Sequence, residues 1–206
     1  QGDLWNFATQ GYVVVDDFES YNDIPAGEEG SNLVYVAWVD GFDNPSANGS
    51  TMGYVAGASL ESDVVHGGGK SVPMEYNNTT AGISEVTRTF AAQDWTAHGV
   101  QTLSLWFLGN GANVPGQLYV KVNGIQVDYD GDAGNLALAG WQTWNIDLTA
   151  INTNLSNVTS LAVGIQGPGA TGTLLLDDIG LYAMARERIT PVQPDPAGLV
   201  LHYEFE

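Results

Sequence analysis

Cysteine is missing from all 206 residues, so disulfides, zinc–thiolate centres, iron–sulfur ligation and a thiol nucleophile are excluded. Basic residues are almost as scarce. Five Lys and Arg stand against 24 Asp and Glu, giving a formal net charge of −19. A surface this acidic repels phosphate, which argues against nucleic acid as a partner and against anionic membrane surfaces. The three histidines, His66, His98 and His202, are scattered along the chain and offer little to a His-based metal site or triad. No apolar run approaches the roughly 18–20 residues of a membrane-spanning helix, so membrane insertion is not expected. The opening residues QGDLWNFATQ lack the basic-then-apolar order of a signal peptide. Charged residues make up only 14%, low for helices with solvated faces.

What is present favours strands. Hydrophobic residues reach 44%, enough for a real core, and 26 glycines supply turns. Alternation predicts a strand over 11–19, where β-branched residues end in acids. Over 71–76, Val72, Met74 and Tyr76 share a face. Residues 85–90 alternate too, although Arg88 interrupts the apolar side. Leu103, Leu105 and Phe107 fall together over 102–108, as do Leu118, Val120 and Val122 over 117–123. Asn123-Gly124 supplies a hairpin turn, with 125–129 as the return strand. Trp144, Ile146 and Leu148 point inward over 141–148, and 161–166 and 173–182 complete a set of about nine strands, a sandwich or barrel pattern. Residues 132–139 and 147–154 each have room for a helical turn or two.

Three segments carry a family resemblance: Val15-Asp16-Asp17-Phe18-Glu19-Ser20-Tyr21, His66-Gly67-Gly68-Gly69-Lys70-Ser71, and Leu174-Leu175-Leu176-Asp177-Asp178-Ile179-Gly180-Leu181-Tyr182. Together, over 12–184, they resemble the jelly-roll carbohydrate-binding modules with a galactose-binding-like fold. The resemblance implies an all-β, two-sheet antiparallel jelly-roll β-sandwich, with first and last strands side by side and the Gly-rich loop folded over them. Residues 1–11 look like the tail of a fibronectin type III-like domain. Residues 185–197, with prolines at 191, 194 and 196, read as a linker. Residues 198–206 look like the first strand of a laminin-G-like domain. The implied setting is a multidomain secreted or cell-surface bacterial protein, with neighbouring domains of the same chain as further partners.

The same resemblance implies a structural calcium ion. Glu19 and Asp177 would bind it through side chains, and Asp17 and the Gly69-Lys70 loop through main-chain oxygens. Hard cations take six to eight oxygens of these kinds. If 17–19 is strand, Asp17 and Glu19 share a face, and Asp178 faces away from Asp177. The plain alternative is a set of solvated strand-end acids. Asp128-Tyr129-Asp130-Gly131-Asp132 echoes part of a calcium loop but lacks its order and closing Glu, so it reads as a polar loop, as does Asp40-Gly41-Phe42-Asp43-Asn44-Pro45. Residues 67–71 lack the spacing and following helix of a phosphate loop.

Sugars present C–H faces that pack on flat rings, and hydroxyls that pair with acids and amides. Trp106 points away from Leu105 and Phe107, and Tyr119 away from Leu118 and Val120. With Glu75, Lys121 and Gln166 they are expected to line the sheet face opposite the core and to form a polysaccharide-binding groove. A loop folded over Trp106 would defeat that groove and move attention to Trp38 and Tyr54, with Trp141 also near a loop. No G-x-S-x-G, H-E-x-x-H or Walker motif occurs. The expected function is a non-catalytic, calcium-stabilised module that binds a polysaccharide. Two alternatives stay open: a structural or adhesive surface module, and a polysaccharide-cleaving jelly-roll enzyme.

Overall fold

A computed structural model describes residues 12–183. The alternating segments are strands: β1 (Val13–Asp16), β4 (Val72–Asn77), β5 (Ile83–Gln93), β6 (Thr102–Leu108), β7 (Gln117–Val122), β8 (Ile125–Asp128), β9 (Gln142–Asp147), β10 (Val158–Gln166) and β11 (Thr171–Tyr182). Two more, β2 (Trp38–Val39) and β3 (Ser50–Met52), are too short for alternation to reveal. A single helical turn, α1 (Val34–Ala37), precedes β2. Short 3-10 turns at Ala133–Ala137 and Leu148–Ala150 fall where turns were expected. Asn123 and Gly124 both have left-handed φ, +49° and +81°, the conformation that a two-residue hairpin needs. The expected fibronectin-like segment 1–11, and the linker and laminin-G-like strand across 185–206, lie outside the described residues. Among the described residues no helix is long and apolar enough to cross a membrane.

The strands form two antiparallel sheets. One runs β3-β4-β11-β6-β9, with β1 also paired to β11; the other runs β2-β5-β10-β7-β8. This is a two-sheet jelly-roll β-sandwich. From β4 to β7 the chain changes sheet at every connection. Leu103, Leu105, Phe107 and Trp144 from one sheet meet Leu118, Val120, Val163 and Ile165 from the other, all at most 3% exposed. Fully burying one such side chain contributes about 1.5–3 kcal/mol.

One inward-facing polar residue breaks the apolar pattern. Arg88 pairs with Leu161 in register, on the core side of β5, and its guanidinium reaches the buried carboxylate of Asp16 and the Val15 carbonyl. Asp16 Oδ2 also accepts from the Tyr21 hydroxyl and from Trp38 Nε1, both at 2.7 Å, and its Oδ1 accepts from Phe18 N at 3.0 Å. Burial, followed by the Asp16 charge, pushes the Tyr21 hydroxyl pKa up. These bonds tie β1, in one sheet, to β2 and β5 in the other. Removing one partner of such a buried pair costs about 3–5 kcal/mol.

Candidate functional site

The Gly-rich loop is held by acids at both ends. A bridge between Glu61 and Ser71 closes its base. Asp177 is fully buried; its Oδ2 accepts from His66 N at 2.8 Å and Gly67 N at 3.2 Å, and its Oδ1 from Asp178 N at 2.8 Å. At the other end, Glu19 Oε1 accepts from Gly69 N at 2.8 Å and Lys70 N at 2.9 Å. The Lys70 ammonium donates to the main-chain oxygens of Glu19 and Tyr21, at 2.9 and 2.7 Å. Close approach explains two of the glycines. A Cβ on Gly68 would lie 2.2 Å from Glu19 Oε1, and one on Gly67 would lie 2.5 Å from Asp178 Oδ2. Burial, with a contribution from the Asp178 charge, pushes the Asp177 carboxyl up to about 6, against the pull of its main-chain N–H bonds.

Two expectations about these acids need correction. Strand β1 stops at Asp16, and Phe18 has a left-handed φ of +58°, so strand alternation does not relate Asp17 to Glu19. Nor does Asp178 turn away from the site. The register of β11 shifts between Asp177 and Gly180, and Asp178 has a φ of +45°. Both carboxylates therefore meet the loop, with His66 Nδ1 2.5 Å from Asp178 Oδ2. Asp17 Oδ1 accepts from Glu19 N at 3.2 Å. Among the described residues, no three His, Asp or Glu side chains converge closely enough to hold a metal by themselves.

The five residues expected to line one sugar-binding face are split between the sheets. Glu75 (β4) and Trp106 (β6) belong to one, and Tyr119, Lys121 (both β7) and Gln166 (β10) to the other. Alternation separates inside from outside but does not say which sheet a strand joins. Trp106 is half-buried and Tyr119 is closed off. The His66 ring stacks on Trp106 at 3.7 Å, with Trp141 edge-on to His66. Tyr119 is fully buried and lies across Gly164, where a Cβ would come within 2.4 Å of its ring. Its hydroxyl donates to Glu85 Oε2 at 2.7 Å, and Lys121 reaches the same oxygen at 2.6 Å. Burial and then Glu85 push the Tyr119 pKa up. Trp38 is buried against Asp16 and offers no surface.

Open aromatic surface lies instead at the rim, around the loop between β2 and β3. A cleft of about 420 Å³ there is lined by Tyr35, Asp40, Phe42, Asp43 and Tyr54, among others. The three aromatics are 47%, 58% and 37% exposed. Asp40 shapes the loop: its Oδ1 accepts from Phe42 N at 3.0 Å and its Oδ2 from Met52 N at 2.6 Å. Gly41 is pressed so near Asn48 that a Cβ would sit 1.8 Å from its carbonyl oxygen. The Tyr54 hydroxyl donates to Glu61 Oε2 at 2.8 Å. Partial burial, then Glu61 and the charge of Glu75, push its pKa up to about 12. A second cleft, of about 680 Å³, adjoins the first at Thr51 and is walled by Glu75, Thr173, Asn77, Thr79 and Ser46, among others. Glu75 was among the expected residues and Tyr54 among the loop aromatics. Tyr35 and Phe42 were missed, although an aromatic set among the turn residues of 40–45 was a signal for Phe42.

No family model matches the chain, and no curated protein matches it. Solved structures do. The family 11 carbohydrate-binding module from Clostridium thermocellum, in complex with a β-1,3-1,4-mixed-linked tetrasaccharide, aligns with a TM-score of 0.51. The two share one fold. Sequence identity is 16%, and the alignment covers 87% of this chain and 100% of that module. The family 11 module of a cellulosomal cellulase of the same organism aligns at 16% identity over 87% of this chain and 99% of its own, with a TM-score of 0.49. A family 30 carbohydrate-binding module follows at 18% identity, 69% and 82% coverage and a TM-score of 0.44.

Proposed function

We propose that this chain is a non-catalytic carbohydrate-binding module of a secreted or cell-surface protein, and that it holds a polysaccharide at the rim cleft of Tyr35, Phe42 and Tyr54. The observation that carries the reading is the exposure of these three rings around one cleft, beside Asp40 and Asp43. Aromatic rings bring a large apolar contact area to a binding surface, and a grouped apolar patch left in water marks an interaction site. Sugar rings meet such a surface with their C–H faces, while their hydroxyls find acceptors in Asp43 and neighbouring acids. The shared fold supports the reading, since the solved family 11 module is in complex with a mixed-linked tetrasaccharide. Both oxygens of Asp40 hold backbone N–H groups, which suits a positioning role and not proton transfer.

Calcium belongs to the same proposal, as a structural ion. Glu19 and Asp177 would bind it through side chains, and Asp17 and Lys70 through main-chain oxygens, an all-oxygen donor set suited to a hard cation. Two features favour the fit. Asp177 is fully buried beside Asp178 and is met by main-chain N–H groups, and positive charge there would offset the unfavourable burial. The two carboxylates also brace opposite ends of one loop that has no room for side chains at Gly67 and Gly68. When bound, the ion would supply positive charge to these acids and fix the loop.

Retention on insoluble cellulose, xylan and agarose, and retardation in gels containing mixed-linked β-glucan, test the sugar site. Wild type is expected to bind at least one of them, and Phe42→Ala and Tyr54→Ala to lose that binding while keeping their melting temperature. Failure of wild type on every polysaccharide would sink the carbohydrate reading. Unchanged binding by both variants would remove the rim cleft from it.

A further inference from the structure

We infer that the two rim clefts are one continuous groove that takes an internal stretch of a neutral polysaccharide, with Glu75 and the hydroxyls of Thr51 and Thr173 recognising the sugars beyond the aromatic end. This rests on the carbohydrate reading above and extends it.

Continuity has two supports. Thr51 lines both clefts. Glu75 stands opposite Thr51 on one side and Thr173 on the other, in the registers of β3–β4 and β4–β11. These three residues therefore form a row across the strands on the outer face of the sheet, spaced by the inter-strand distance of about 4.8 Å. A sugar chain running across the strands would meet rings first and then an acceptor flanked by two hydroxyls.

Charge sets the class of sugar. Among the described residues neither cleft is lined by a Lys or Arg, whereas Asp40, Asp43 and Glu75 line them. Nor do the described residues offer a free cation to be recruited. Of the basic side chains in the described residues, Arg88 is held by Asp16, Lys121 by Glu85, and Lys70 by two main-chain carbonyls. A uronate or sulfate would enter an uncompensated negative field on a chain of net charge −19. Neutral hydroxyls suit both halves: they donate to the acids and accept from the threonines.

The test is calorimetric titration of the full chain with ladders of mixed-linked gluco-, xylo- and agaro-oligosaccharides, from disaccharide to hexasaccharide, and with oligogalacturonates of the same lengths. For the neutral ladder that binds, affinity is expected to rise at least about tenfold from disaccharide to hexasaccharide. Glu75→Gln and Thr173→Val are expected to weaken hexasaccharide binding by about threefold to tenfold, the loss of one hydrogen bond, and to leave the disaccharide unaffected. Tyr54→Ala is expected to weaken both. If Tyr54→Ala abolishes binding but Glu75→Gln and Thr173→Val leave every length unchanged, the continuous groove is wrong and the aromatic site stands. Tighter binding of oligogalacturonates than of any neutral ladder overturns the assignment to neutral glycans. No binding of any ladder by wild type removes the carbohydrate reading itself. Unchanged melting temperatures keep a folding defect from imitating the first result.

Discussion

Two groups of aromatics stand outside the main core, and the chain treats them in opposite ways. Trp106 and Tyr119 project from the outer faces of the sheets and are closed by their own neighbours: His66 lies on one, and the other is flattened over Gly164 and bound to Glu85. Tyr35, Phe42 and Tyr54 project from the rim and keep from 37% to 58% of their surface. Pointing away from a core is thus a different property from being available. What decides between them is whether another segment arrives to cover the ring, and such segments come from far along the chain. His66 is 40 residues before Trp106, and Glu85 is 34 before Tyr119.

The contrast can be broken most severely at Tyr119. Tyr119→Ala empties a filled site and takes one donor from Glu85, which keeps Lys121, so denaturant titration should show a loss of about 3–5 kcal/mol, with glycan binding by the folded fraction intact. A stability change near zero would mean that Tyr119 is as open as the rim rings. Removal of calcium comes next. If the ion binds the native state alone, a hundredfold excess over Kd stabilises by about 2.7 kcal/mol. Chelation should then lower the melting temperature, and Glu19→Ala should abolish that sensitivity; a melt indifferent to chelator rules the ion out. His66→Ala uncovers Trp106 and should cost about 1 kcal/mol, the scale of one aromatic pair, while red-shifting the tryptophan emission. Phe42→Ala should stay within about 0.5 kcal/mol of wild type, as an exposed substitution does, and yet remove polysaccharide retention. A large loss of stability there would turn the rim ring into a structural one.

Much of the sandwich was legible because strands such as β6 and β7 carry one unbroken apolar face. The sets Leu103-Leu105-Phe107 and Leu118-Val120-Val122 need only period-two reading, and both are buried. Sheet membership was not legible. Consecutive strands β6 and β7 lie in different sheets, and nothing within either strand records that crossing. Arg88 looked like a flaw in an apolar face because its partner, Asp16, is 72 residues away. At β11 the shifted register near Asp178 overrode alternation, which a reading by period takes for granted. The rim rings escaped for a further reason: Tyr35 and Phe42 sit on a single helical turn and an irregular loop, where side-chain direction follows from contacts such as Asp40 with Met52 N and not from any repeat.

The pairing of β1 with β11 also has a mechanical meaning. Val13 lies opposite Leu181, and Tyr12 stacks on Tyr182 at 5.4 Å, so the two ends of the described chain leave the sandwich side by side. Tension drawn between them would pull across the ladder, parting its hydrogen bonds in succession as a zip opens, and not in unison as in shear. Resistance to that peeling grows only where β1 gives way to the segment carrying Asp16 and Glu19, one bound to Arg88 and the other to the Gly69-Lys70 end of the loop. An ion joining Glu19 to Asp177 would be a clasp at the foot of the zip, making the force that this module withstands a function of the cation around it.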